Sequence, residues 1–371
     1  MIQYPIAKPY ITADDKQAVM DVLDSGILSL GPKLQEFEEK FAAYVGTSYA
    51  CGVSSGTTGL HLAMIAAGVG EGDDVITPPF SFIASANCVL YVGATPVFAD
   101  IDPVTYTLDP EKVEAAITPK TKAIVVVHIF GQSADMNPIV DIAHRYNLAI
   151  VEDACESLGA EYHGKKTGTF GQSSVFAFYP NKQMTTGEGG MVCTNEKTVY
   201  ETCKSLTNQG RRGSMRWLDH EEIGYNYRLD EMSAALGVSQ LKKLPWMIEK
   251  RREIASWYSD ALAPYADLVS TPVTAPGNSH TWFVYVVRLK NGNRDAVIDT
   301  MQEKGIVTKA YLPSIHRSPA YQKRFSYPKG SFPISERVSD TSLALPFYIG
   351  LTRSDISFIV TPLIDAIHAR V

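Results

Sequence analysis

From about Tyr49 to Thr194 the chain alternates short β-branched runs with longer stretches whose apolar residues recur at helical spacing. The runs are Tyr49–Val53, Asp74–Thr77, Thr95–Asp100, Lys122–His128, Ala149–Asp153 and Val175–Phe178. Between them lie patterns such as GTTGLHLAMIAAGVG and SADMNPIVDIAHRYN, with capping residues at their ends. Strand–helix alternation of this kind predicts βαβ units and a mostly parallel sheet covered on both faces. KAIVVVHIF is continuously apolar, as a central strand buried on both sides requires. GGMVCT, after a glycine turn, is expected to add an antiparallel edge strand.

Beyond Leu229 the pattern changes. The segment from Asp230 to Tyr265 reads as long helical structure interrupted near Pro245. A strand (Thr281–Leu289), a helix (Arg294–Lys304), a second strand (Ile306–Tyr311) and a last helix from Ser354 follow. The fold class expected is therefore α/β: a large, mostly parallel-sheet domain over residues 1–240 and a smaller C-terminal α+β domain over 241–371, hinged near 240–250.

Composition narrows the setting. With 371 residues, 45% hydrophobic and 20% charged, the chain has ordinary globular make-up. A net charge of −6 argues against nucleic acid and anionic membranes as partners. The opening MIQYPIAKPYITADDK carries charges and a proline where a signal peptide would need an apolar run. No stretch approaches the roughly 20 apolar residues of a bilayer span. The five cysteines form no CxxC pair and sit mostly in apolar segments, as free thiols in a reducing cytoplasm would. No metal-ligand cluster is evident.

Candidate chemistry centres on FAFYPNKQMTTGEGGM, residues 176–191. Lys182 follows an apolar strand end, in the crevice where open α/β sheets bind ligands. Its amine can form an imine with an aldehyde cofactor and, when freed, move protons at the adjacent carbon. Taken alone, the segment reads rather as a solvated lysine beside a glycine-rich hairpin. Asp153, in IVEDACES, lies at the same edge of the sheet, either as a carboxylate holding a proton on a ring nitrogen or as a helix N-cap. Glu156 has capping-box spacing to Asp153, or faces the cofactor or substrate. In SSGTTGLHLA, Gly56, Thr57 and Thr58 set backbone N–H groups at a helix N-terminus, a seat for phosphate. PPFSFIAS offers Phe80 and Phe82, as core or as a ring to stack on a pyridine.

Taken in order, SSGTTGL, TPPFSFIASAN, GATPVFADID, VHIFGQSADM, VEDACESLGAEYHGKKTGTFG, FYPNKQMTTGEGGM and GYNYRLDEMSAALG, with YLPSIHRSPAY and LPFYIGLT further on, resemble the DegT/DnrJ/EryC1/StrS family of sugar aminotransferases, fold type I of the pyridoxal-phosphate enzymes. The resemblance runs from about Ile6 to Ile359. It implies pyridoxal 5'-phosphate as cofactor, Lys182 as its Schiff-base lysine and Asp153 as the partner of its pyridine nitrogen. It implies further that Phe82 stacks on the ring, that Gly56 and Thr57 hold the phosphate, and that Asn226 reaches the phosphate of a neighbouring subunit in a homodimer. Glu156 resembles the perosamine-synthase branch, which aminates C4 of a keto sugar. The family's usual serine five residues before the lysine is here Ala177, which removes a hydroxyl from the phosphate site. Relatives that act as 3-dehydratases replace the lysine with histidine, whereas this chain keeps Lys182.

Substrate contacts are sought among the arginines of NQGRRGSMRW and GYNYR, since guanidinium groups bind diphosphates bidentately. Arg211, Arg212 and Arg216 read as a solvated loop, and Arg228 as a substrate-binding residue. His316, in PSIHRSPAY, matches a family position lining the sugar site, or is a structural loop histidine. The reading is a cytoplasmic transaminase that passes an amine from L-glutamate to a keto sugar nucleotide. A dehydratase or lyase on the same scaffold, a non-catalytic cofactor-binding regulator and a cofactor-free structural protein are the rivals.

Overall fold

The computed structural model describes residues 2–211 and 220–369. Its main sheet is built from β1 (Tyr49–Val53), β2 (Asp74–Thr77), β3 (Thr95–Phe98), β4 (Thr121–Val127), β5 (Ala149–Asp153), β6 (Ser173–Ala177) and β7 (Gly190–Thr194). Their order across the sheet is β1-β7-β6-β5-β4-β2-β3. Pairs from β6 to β3 are parallel, and β7 runs antiparallel to both β1 and β6. GGMVCT is thus antiparallel as its turn implies, but it lies inside the sheet. All five residues of β7 are buried, and such a strand gains a ladder on each side. Alternation along β4 assigns its residues to opposite faces: Val125 and Val127 enter one core cluster, Ile124 and Val126 another.

A second sheet, with strands at Val269–Ser270, Tyr285–Leu289, Ser342–Leu345 and Lys309–Ala310, is wholly antiparallel. The helix Arg353–His368 and the far half of the helix Glu231–Leu262 supply its core, through Ile359, Leu363, Ile254 and Tyr258. Tyr4 joins that core from the other end of the chain, and its hydroxyl donates to Asp355 at 2.8 Å.

The interruption expected near Pro245 is absent: one helix of 32 residues runs from Glu231 to Leu262, so residues 240–250 lie inside an unbroken helix. Proline there removes one amide donor on an exposed turn. Leu241, Leu244, Met247, Ile248, Arg251 and Ile254 keep a continuous buried stripe across the site, and that packing outweighs the local cost.

Near its start this helix presses Gly237 onto the Phe37 ring of the helix Pro32–Val45. A Cβ at Gly237 would lie 2.6 Å from Phe37 Cζ. Phe37 in turn packs on Phe178, 5.3 Å between centroids, immediately before the Lys182 loop. Gly237→Ala therefore sets a helix-propensity gain of about 1 kcal/mol against overpacking of about 1–3 kcal/mol. Denaturant unfolding is expected to show a net loss of stability of up to about 2 kcal/mol; a stabilised variant would mean that Phe37 moves freely.

Candidate active site

The parallel strands deliver their C-terminal ends to one edge of the sheet, and the predicted chemistry converges there. A cavity of about 450 Å³ is lined by Gly56 and Thr57 beyond β1, Ser81 and Phe82 beyond β2, Asp153 and Glu156 from β5 and its turn, and Asn181 and Lys182 beyond β6. Glu188 and Gly189, entering β7, close one side, and Tyr311 comes from the C-terminal half.

Each group has a local cause. Ser55 caps the helix Gly56–Ala66: its Oγ accepts from the Thr58 amide at 3.1 Å, and the Thr58 hydroxyl returns to the Ser55 amide. Thr58 is consumed by this capping box, which leaves the first-turn amides of Gly56 and Thr57 at the cavity. Glycine is required at 56 because a Cβ there would fall 2.8 Å from Ala177 Cβ and 2.9 Å from Cys155 Sγ. Phe80 is fully buried and meets Tyr106 and Phe130 edge-on, whereas Phe82 is 59% exposed at the cavity. The two aromatic candidates thus divide into core and site.

Asp153 does not cap a helix, since the chain turns after β5 without entering one. Its Oδ2 accepts from the Ser85 hydroxyl at 2.7 Å, and Oδ1 from the Cys155 amide at 3.2 Å. Ser85 is itself 2.7 Å from the Ser81 hydroxyl, so the loop carrying Phe82 is tied to the carboxylate. Glu156 likewise makes no capping box. One of its oxygens accepts from the Phe130 amide at 3.0 Å and the other lies 3.6 Å from Lys182 Nζ. Burial raises the Glu156 carboxyl above its ordinary range, and the Lys182 ammonium pulls it partway back. Lys182 Nζ also sits 4.2 Å from the centroid of the Phe283 ring. Thr185 and Thr186 donate to the carbonyls of Phe178 and Glu188 and shape the turn. Cys155 lines the cavity with its thiol pushed well above the ordinary range by burial.

Three predicted residues do not line this cavity. His316 is fully buried elsewhere, its Nε2 at 3.2 Å from Glu336 and its ring among Phe98, Tyr327 and Phe332. The aromatic cluster around it shuts it off from solvent and from this cavity. Arg228 donates to Asn208 Oδ1 at 2.9 Å. Asn226 is exposed, bridged through its backbone to Asn208. Arg211 is half-buried, and Arg212 and Arg216 lie outside the described residues. Tyr311, missed in the sequence, lines the cavity; its only signal was its place at the head of the YLPSIH motif.

The profile of the DegT/DnrJ/EryC1/StrS aminotransferase family matches residues 9–363. The chain belongs to this family. Among its relatives, GDP-perosamine synthase of Caulobacter vibrioides is 39% identical over 362 residues, 96% of each chain. GDP-perosamine synthase of Escherichia coli O157:H7 is 38% identical over 357 residues, again 96% of each. The S. venezuelae DesV structure, in complex with a ketimine intermediate, superposes with a TM-score of 0.92 at 36% identity over 100% of both chains. As a member of the family, this protein is a pyridoxal-phosphate-dependent sugar aminotransferase.

The donor set fits that cofactor. The cavity lining includes an amine, a carboxylate, an exposed ring and a helix N-terminus, the kinds of group that could serve an aldehyde, a pyridine nitrogen, a ring face and a phosphate. Asp153→Asn is accordingly expected to retain the cofactor, seen by its absorbance. The rate should fall on the order of a hundredfold or more, because an amide cannot hold the ring proton by charge. Near wild-type turnover would reduce Asp153 to a structural acceptor for Ser85.

Proposed function

We propose that the protein transfers an amine from L-glutamate to C4 of a 4-keto-6-deoxyhexose carried on a nucleoside diphosphate, GDP ahead of UDP and dTDP. The observation that carries the reading is the placement of the Lys182 amine beside Glu156, in one cavity with Asp153 and the Gly56–Thr57 helix start. Glu156 supports C4, since its place in VEDACES is that of the perosamine-type branch and the two perosamine synthases are close relatives. A carboxylate differs from an amide there in charge and in its lack of donors, which changes the sugar hydroxyls accepted.

Gly56 and Thr57 would hold the cofactor phosphate, Phe82 would stack on the ring, Asp153 would keep its nitrogen protonated and Lys182 would carry it covalently. Bound there, pyridoxal phosphate supplies an electron sink for the carbon that loses or gains a proton. Lys182 Nζ, once free, carries that proton in both half-reactions, and Glu156 at 3.6 Å holds the ammonium in place between transfers. Ala177 provides no hydroxyl to the phosphate, and Asn226 of a second subunit would supply a replacement. Asn226 is exposed and lies away from its own chain's cavity, which supports a homodimer with shared sites. Arg228, half-buried on the same GYNYR segment, would serve the nucleotide diphosphate there. Among the described residues no helix is long and apolar enough to cross a membrane. The proposed substrates, a sugar nucleotide and glutamate, set the reaction in the cytoplasm.

Incubation with glutamate and a panel of 4-keto and 3-keto sugar nucleotides tests the reading. Mass spectrometry is expected to register the exchange of a keto oxygen for an amine, and product NMR to place it on C4. Amination at C3 with 4-keto substrates untouched would overturn the position while leaving the aminotransferase in place. Sharing of sites is tested by mixing Lys182→Ala and Asn226→Ala subunits. Each parent is expected to be nearly inactive, and hybrids to regain activity through one intact site. Confirmed hybrids without activity would assign each site to a single chain.

A further inference from the structure

Arg251, on the buried stripe of the helix Glu231–Leu262, is only 4% exposed. Among the described residues it has no carboxylate partner. Its hydrogen bonds go to backbone carbonyls: Nη1 donates to Trp282 at 3.2 Å and to Phe283 at 3.3 Å, and Nη2 to Lys182 at 3.4 Å. Nε is buried without a partner, and Phe347 stands 5.6 Å from the guanidinium carbon. Its neighbour Arg252 is the ordinary case: half-buried, paired with Glu249, and bonded to the His280 carbonyl and the Ser279 hydroxyl.

An unpaired cation in a dry interior is costly even after relaxation, and burial pushes the Arg251 guanidinium down to about 10. The carbonyls it collects belong to the two segments that frame the Lys182–Glu156 pair. One is Lys182's own. The others flank the turn whose Phe283 ring lies under the Lys182 ammonium. The same turn reaches Glu156 from behind: the amides of Thr281 and Phe283 donate to the carbonyls of Gly131 and Phe130 at 2.9 Å, and the Phe130 amide donates to Glu156. Gln183, next to Lys182, adds a contact from its Nε2 to the Thr281 hydroxyl at 3.2 Å.

We infer that Arg251 is a positioning residue for the transamination, fixing from one rigid helix both the lysine loop and the turn that sets Phe283 and Glu156 against the Lys182 amine. A guanidinium suits the task because its donors form a planar fork that serves carbonyls from separate segments, which an ammonium cannot match. The inference rests on the assignment of Lys182 as the cofactor's lysine.

The test compares purified wild type, Arg251→Lys and Arg251→Met, each loaded with pyridoxal phosphate. Melting temperature, the absorption band of the lysine-bound cofactor, its rate of reduction by cyanoborohydride, kcat and the KM for glutamate are measured. Arg251→Lys keeps the charge and loses the fork. It is expected to fold, shift the band and the reduction rate, and lower kcat at least about tenfold with KM little changed, because small misplacements of a reacting group are costly. Arg251→Met is expected to lose more kcat while its melting temperature stays level or rises, since the uncompensated charge is gone. Should Arg251→Met fail to fold, Arg251→Lys decides alone. A Lys variant with wild-type band, reduction rate and kcat overturns the inference, as does a loss of activity that merely tracks lost stability. Peptide mapping of borohydride-reduced wild type keeps the two assignments apart: label on another lysine sinks the Lys182 assignment itself, and label on Lys182 beside an unaffected Arg251→Lys sinks only the role of Arg251.

Discussion

An ammonium and a carboxylate, Lys182 and Glu156, face one another at 3.6 Å with little water to share. In such surroundings a charge that loses its partner is costly, so each must be held where the other can find it. Much of the neighbouring structure meets that demand. Glu156 is fixed by the Phe130 amide, Lys182 rests on the Phe283 ring, and the turn behind both is anchored by backbone hydrogen bonds and by Arg251. The same confinement makes the amine useful, because a lysine that swings freely in water carries a proton to no particular atom.

The sheet explains how such a pair is assembled from segments far apart in sequence. Parallel strands end at one edge, and each contributes one kind of group: amide donors after β1, a ring after β2, carboxylates at β5, the amine after β6. The antiparallel β7, lodged inside the sheet, starts from that same edge, where Glu188 and Gly189 lead into it. Around the edge, buried aromatic rings replace flexible support. Gly237 lets a helix close on Phe37, and Phe37 meets Phe178 at the root of the lysine loop.

Hydroxyls set the electrostatic detail. Ser81 and Ser85 link the loop bearing Phe82 to Asp153, so the exposed ring and the carboxylate at the cavity are tied through one chain of hydrogen bonds. Ala177 contributes no hydroxyl, and its Cβ stands so near the helix start that only glycine fits at 56.

What the sequence determined by itself is local or repetitive. The apolar runs gave β1 to β6 within two residues and placed helices between them with looser ends, because burial on two faces leaves a continuous apolar run such as KAIVVVHIF. Lys182, Asp153, Gly56, Thr57, Phe82 and Glu156 were legible because each follows a strand end in a motif, and strand ends share an edge. Tertiary structure alone decided the rest. The place of β7 inside the sheet depends on pairing with a strand about 140 residues earlier in the chain, which no local pattern encodes. The unbroken course through Pro245 depends on packing along a whole helix. His316 sits in an aromatic cluster rather than at the cavity because Phe98, from the main sheet, meets Phe332 and Tyr327 around it. Arg251 carried no signal in the sequence, where it reads as one more charge in EKRRE; only the fold brings three carbonyls to it.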